Sequence, residues 1–245
     1  MTTDVLPNDG SKSGRHHKSA AREYIEAFGF ALIIALVMRA SIVQAYVIPS
    51  ESMIPTLQVG DHILVNKIRY GLRVPESVLG FKVPGLPLGQ YLFRLEPLQR
   101  GDVVVLVSPV DPSMDLIKRV IAIPGDTVMV KNGKVFLNGS AMEDPHAHFT
   151  VPDQDRTSIR IKNPRDNFGV FDAHSGEVVG PVSVPAGKLF VMGDNRDNSF
   201  DSRYWGFADF NAVEGRAIVV YWSWDSASSA TIPPMRWRRF GHLID

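Results

Sequence analysis

Ser50 and Ser52 sit two positions apart in "PSESMIPTL", residues 49–57, directly after a long apolar run. A serine hydroxyl becomes a nucleophile when a neighbouring base takes its proton. Histidine is the commonest base for this work. His16 and His17 fall in a polar tail, and His146, His148, His174 and His242 fall in turn-like or terminal sequence. His62, in "GDHILVNK", shares a strand face with Leu64 and Asn66. A structural or solvated role suits every histidine better than catalysis. The chain has no cysteine, which excludes a thiol nucleophile, disulfides and cysteine-ligated zinc.

Lysine is the other available base. In "DLIKRVIAIPGD", residues 115–126, alternate residues of a strand share a face. Lys118 then lies with Leu116, Val120 and Ala122, while Arg119 points the other way with Ile117 and Ile121. The Lys118 face carries no carboxylate to neutralise the charge. A free lysine has a pKa of about 10.4, so about one in a thousand is neutral near pH 7. Desolvation lowers this by about 3 units or more and brings the amine into the range of a general base. The plainer reading of a lone lysine on an apolar face is that its amine snorkels to water.

Ser50 and Ser52 face the same side if their segment is extended. Ser50 is then placed to donate to an oxyanion beside a backbone N–H; its simpler role is to cap a turn. A third dense stretch is "MGDNRDNSFDSRYWGF", residues 192–207. Its Asp, Asn and Ser content suggests a calcium loop, but the spacing rejects one. Counting from Asp194, position 6 is Ser199 and position 12 is Trp205; from Asp197 they are Ser202 and Ala208. Neither register supplies the required Gly and Glu. A tight turn whose carboxylates pair with Arg196, Arg203 or Arg119 fits better, with Ser199 free to bond another group.

These groups need elements to hold them. The 245 residues are 44% hydrophobic and formally neutral, which argues against nucleic acid as a partner. Residues 1–23 are polar and basic and read as a mobile cytoplasmic tail. The apolar run "AFGFALIIALVM", residues 27–38, is broken by Arg39 and resumes to Ile48. Residues 24–48 as a helix would be about 37 Å long, enough to cross a hydrocarbon core of about 30 Å. A cleaved signal peptide or a buried core helix is the competing reading. Basic residues before the span, with Glu51 and Asp61 after it, put the N-terminus in the cytoplasm.

The remainder reads as strands bounded by Gly, Pro, Asn and Asp: "DHILVNKI", "GDVVVLVS", "DLIKRVIAI", "DTVMVKNGKVFLNG", "KLFVMGD" and "GRAIVVYWSW". Asn132-Gly133 is a type I′ hairpin signal. The expected fold class is mainly β: one N-terminal transmembrane helix, then an extracytoplasmic antiparallel sheet or barrel-like core with an inserted cap lobe. The core is expected over 49–135 and 185–245, and the lobe over 136–184. Residues 72–100, rich in proline, carry short strands or touch the membrane.

"PSESMIPTLQVGDHILVNK", "RGDVVVL", "LIKRVIAIPGD" and "GDNRDNSFDSRYWG", in this order behind one apolar segment, resemble bacterial type I signal peptidases. That resemblance implies a Ser/Lys protease that removes signal peptides at the outer face of the cytoplasmic membrane. Ser52 then matches the nucleophile, Lys118 the general base, Ser50 the oxyanion donor and Ser199 the group that orients the amine. It further implies bracing pairs Asp194–Arg119 and Asp201–Arg203, and cleavage after small residues such as Ala at −1 and −3. Its implied partners are signal peptides of secreted preproteins, the lipid bilayer and the secretion machinery, with no metal or cofactor. The rivals are a self-cleaving repressor-type Ser/Lys protein, for which the N-terminus shows no DNA-binding domain, and a membrane-anchored β-domain that only binds or scaffolds.

Overall fold

The computed structural model describes residues 24–31, 42–74, 89–150, 167–171, 178–225, 228 and 233–245. Residues 24–31 are helical. Among the described residues no helix is long and apolar enough to cross a membrane; the middle of the expected span, residues 32–41, lies outside them, as does the whole basic tail, residues 1–23. The expected helix does not run to Ile48. Val43–Val47 is strand β1, paired antiparallel with β2, Asp61–Asn66, in the register Val43↔Asn66 to Val47↔His62. Short apolar runs do not by themselves separate helix from strand. Here the β2 edge supplies hydrogen-bond partners to a Val- and Tyr-containing segment, and the ladder wins.

The rest is mainly β, as expected, and its principal sheet is antiparallel and curled. The other core strands are β5 Val103–Val107, β6 Asp115–Ala122, β13 Lys188–Met192, β14 Ala208–Asp209, β15 Val213–Ser223 and β16 His242–Leu243. Their order is β1-β2-β15-β5-β6-β13-β14. The long strand β15 is the hub. β2 runs along one edge; β5 takes the first half of the other, and β16 pairs further on at Val219 and Val220. β3 Gly71–Arg73 and β4 Tyr91–Arg94 make a separate two-stranded ribbon.

A four-stranded sheet, β12-β7-β8-β9, contains β7 Thr127–Lys131, β8 Lys134–Leu137, β9 Ser140–Ala141 and β12 Val182–Ser183. The remaining pair is β10 Val170–Phe171 with β11 Val178–Gly180. The expected lobe boundary at 136 therefore falls inside a hairpin whose strands both belong to the second sheet. Asn132 and Gly133 turn that hairpin at φ of 51° and 72°, as a type I′ turn requires.

Alternation sets the burial. In β2, Asp61, Ile63 and Val65 face inward, and in β6 the run from Arg119 to Ala122 is buried on both sides. One apolar cluster joins Ile63 and Val65 to Val103, Val105, Ala217 and Val220, and receives Met53 and Leu57 from the β1–β2 loop. Another unites Ile121 and Phe190 of the main sheet with Val128, Val130 and Val135 of the second, so the two sheets share a core. Leu57 is fully buried and anchors the loop that carries Ser52. Leu57→Ala is expected to lower unfolding stability by about 2–5 kcal/mol, the range for cavity-forming core truncations. Denaturant titration of the detergent-solubilised chain measures it.

Candidate active site

Ser52 lies between β1 and β2, and several elements hold its loop. Met53 and Leu57 sink into the core below it. The Asn195 backbone N–H donates to the Ser52 carbonyl at 3.1 Å, and Asn195 Nδ2 donates to the Glu51 carbonyl at 3.1 Å. From the other flank, Arg236 Nη1 donates to the Val59 carbonyl at 3.0 Å and Arg239 Nη2 to the Thr56 carbonyl at 2.8 Å. Arg239 also grips Asp61, whose carboxylate accepts from the Gln58 N–H and the Ser223 hydroxyl. The chain closes this flank by burying Ile244 with Ile48, Met53 and Leu57.

Lys118 stands in β6 opposite Val104 of β5, with Val120 and Ala122 buried on its own face, as strand alternation requires. It is 3% exposed. Its Nζ lies 2.9 Å from Ser52 Oγ and donates to the Ile117 carbonyl at 2.9 Å. Burial pushes the amine down to a pKa of about 8; the Asp201 and Asp194 carboxylates pull it back in part, and the Arg203 cation presses it lower. The strand face alone offers no carboxylate. The fold brings Asp201 and Asp194 to it from the loop after β13. Ser50 Oγ is 3.4 Å from Ser52 Oγ and exposed, so Ser50, Ser52 and Lys118 converge at one point.

Ser199 is brought beside them but differs in detail. Its hydroxyl is buried near Asp201, whose charge it helps to hold, yet it completes no hydrogen bond of good geometry and none to Lys118. It lies against Gly193, where a Cβ would stand 2.3 Å from Ser199 Oγ and 2.3 Å from the Ser52 carbonyl oxygen. Gly193 therefore permits the nucleophile loop and the Ser199 loop to touch.

Two buried ion pairs hold this second loop. Arg119 binds Asp194 through Nε and Nη2, both at 2.8 Å, and Thr56 Oγ1 donates to the same carboxylate at 2.5 Å. Arg203 binds Asp201 through Nε and Nη2, both at 2.8 Å, while the Gly193 N–H donates to Asp201 at 3.0 Å. Burial alone would raise the Asp201 carboxyl, but Arg203 and these donors keep it below its ordinary value. Arg196 pairs with Asp144 instead, tying the loop to the segment after β9. The sequence reading did not single out Asn195 or Gly193. The density of Asn, Asp and Gly in "GDNRDNS" marked a tight loop, but nothing local says which of them meets residues 51 and 52.

A serine hydroxyl beside a water-poor amine, on a curled antiparallel sheet, is the equipment of a serine peptidase. The chain belongs to the signal peptidase family, peptidase S26, which matches residues 21–222. Signal peptidase I of Pseudomonas aeruginosa is 37% identical over 230 residues, covering 86% of this chain and 76% of that protein. Signal peptidase I of Leptolyngbya laminosa is 32% identical over 240 residues, with 95% of each chain covered. The Aquifex aeolicus signal peptidase I is 35% identical over 240 residues, covering 82% of this chain and 84% of its own. A crystal structure of a signal peptidase I from Enterococcus faecalis has 30% sequence identity and a TM-score of 0.36, covering 50% of this chain and 97% of its own.

Replacing Gly193 with Ala puts a methyl where Ser199 and the Ser52 carbonyl already stand. Overpacking of this kind costs about 1–3 kcal/mol. Because the displaced atoms belong to the site, Gly193→Ala is expected to lower kcat by at least about tenfold, equivalent to about 1.4 kcal/mol of barrier. Steady-state kinetics beside a thermal melt separate the two effects.

Proposed function

We propose that this chain cleaves N-terminal signal peptides from exported preproteins, with Ser52 as nucleophile and Lys118 as general base. The observation that carries this reading is the 2.9 Å approach of Lys118 Nζ to Ser52 Oγ inside a site that excludes water from the amine. With a pKa near 8, about one amine in ten is neutral at pH 7, far more than for a free lysine.

The steps follow from that proton. Neutral Lys118 takes the Ser52 hydroxyl proton as Oγ bonds to the scissile carbonyl carbon. The oxyanion that forms is held by Ser50 Oγ and backbone N–H groups. Lys118 then returns the proton to the leaving amine, the C–N bond breaks, and an acyl ester remains on Ser52. A water, deprotonated by Lys118, attacks the ester and releases the signal peptide. Ser199 is assigned the orienting of the amine by resemblance to the family, and its buried hydroxyl lies against Gly193 beside the Ser52 loop. Asp194–Arg119 and Asp201–Arg203 fix the frame and touch no reacting atom.

Residues 24 to about 41 form the membrane anchor in this reading, with residues 1–23 in the cytoplasm and the β region outside. The substrate's own apolar segment lies in the same bilayer, and its cleavage site emerges beside Ser52, which lowers the orientational cost of encounter. Ala-x-Ala-like sites are the expected substrates, by resemblance to the family, and the secretion machinery delivers them.

Ser52→Ala and Lys118→Met are expected to abolish processing of a preprotein with an Ala-x-Ala site, assayed with the purified full chain; persistence of cleavage in either variant overturns the assignment. Ser50→Ala removes one oxyanion donor and should lower kcat by roughly 10²–10³-fold.

The pH dependence has a definite sign. The depressed pKa means the buried cation is disfavoured, a folding penalty on the order of 3 kcal/mol that is fully present below pH 8 and fades as pH rises to the unfolded value of 10.5. Activity moves with the neutral form. kcat/KM is expected to rise about tenfold per pH unit below about 8 and to level above it. A profile flat from pH 6 to 10 contradicts the neutral-amine mechanism.

A further inference from the structure

The peptide that joins Glu51 to Ser52 is held at one end and open at the other. Its carbonyl oxygen accepts twice. The Ile54 N–H donates at 3.2 Å, closing a turn over residues 51–54, and Asn195 Nδ2 donates at 3.1 Å. The other end of the same peptide, the Ser52 N–H, meets no acceptor among the described residues. A backbone donor left open at a nucleophile is one that a substrate can use.

This peptide is trans and planar, so its C=O and N–H point in opposite directions. Whatever fixes the oxygen therefore aims the N–H. The turn alone supplies one donor, and a plane held at one point can still tip about its long axis. A second donor from a distant loop stops that motion. Asn195 is suited to supply it. The residue is 2% exposed, and its Oδ1 makes no hydrogen bond among the described residues, so the side chain acts through Nδ2 alone. Its neighbours in the chain are tied down as well. Arg119 grips Asp194, and the Arg196 N–H donates to the His148 carbonyl at 2.8 Å.

We infer that Asn195 is a positioning residue for the oxyanion: through Nδ2 it holds the 51–52 peptide so that the Ser52 N–H is aimed at the substrate's carbonyl oxygen. This rests on the reading of Ser52 as nucleophile. In the bound substrate that oxygen is neutral and gains little from the donor. As Ser52 Oγ attacks, charge gathers on the oxygen, and a donor already aimed gains most. The Ser52 N–H then works beside Ser50, whose Oγ stands 3.4 Å from the attacking oxygen. Asn195 touches no reacting atom, so its loss acts on kcat and leaves substrate binding almost unchanged.

Asn195→Ala and Asn195→Leu both remove Nδ2 and both keep the backbone N–H that donates to the Ser52 carbonyl. The full chain is assayed on a peptide with an Ala-x-Ala site, and the Kd of that peptide is measured in the Ser52→Ala background. A third measurement is inhibition by the corresponding peptide aldehyde, whose carbon takes Ser52 Oγ and whose oxygen then sits where the oxyanion forms. Both variants are expected to lose about tenfold to a hundredfold in kcat, part of the loss seen when an oxyanion donor is removed outright. Aldehyde affinity should fall by a similar factor, with Kd unchanged and the inflection of the pH profile still near 8. Unchanged kcat in both variants overturns the inference. So does an equal loss of peptide and aldehyde affinity, which would make Asn195 a support for the loop as a whole, or a displaced inflection, which would mean that it acts through Lys118. Leu fills the space of the lost amide and replaces the Ala variant if a thermal melt shows the latter unfolded. If Ser52→Ala alone still cleaves, the nucleophile reading fails, whatever the Asn195 variants do.

Discussion

The structure turns on keeping one amine away from water while a hydroxyl stands against it. Lys118 is long enough to reach solvent, and a free side chain would do so. It does not here, because β5 lies along one edge of its strand and the Ser52 loop covers its tip. The nearby carboxylates are already engaged. Asp194 and Asp201 each spend their charge on an arginine, so they soften the amine's isolation without restoring an ordinary pKa. Were either carboxylate free to face Lys118 directly, the cation would gain a partner and the base would be lost.

This arrangement explains why the braces are charged although the reacting groups are sheltered by aliphatic neighbours. A bidentate arginine–carboxylate pair fixes direction as well as distance. Arg119, through Asp194, and Arg203, through Asp201, each fix one end of the loop that carries Ser199. An apolar replacement could match the packing of these pairs but would not specify the angle at which the loop meets residue 52. That hydrogen-bonded angle is what lets the Ser52 and Asn195 backbones join directly.

Much of this was legible in the chain. Alternation in "DLIKRVIAI" correctly put Lys118 and Arg119 on opposite faces, because side-chain direction alternates along any strand; that both faces are buried there depends on what packs against them. The principal strands and the Asn132-Gly133 turn were readable for the same reason. The limits were non-local. Residues 43–47 look as apolar as the run before them, and only the β2 edge, brought up by the intervening loop, makes them strand. The second sheet begins at Thr127 because β12, more than forty residues on, pairs with β7. The Asn195 clamp and the close approach at Gly193 depend on two loops far apart in sequence. No pattern within either loop encodes the other.

The strap from Arg236 to Ile244 has a consequence for how the enzyme is made. Thr56, Val59 and Asp61 are gripped by side chains that the ribosome adds roughly 180 residues later, and Ile244 completes the apolar bed under Met53 and Leu57. Pairings of such sequence separation form late in folding. Until those late residues fold back, the Ser52 hydroxyl has no settled seat, so the site is completed only after the last strand of the chain has been made.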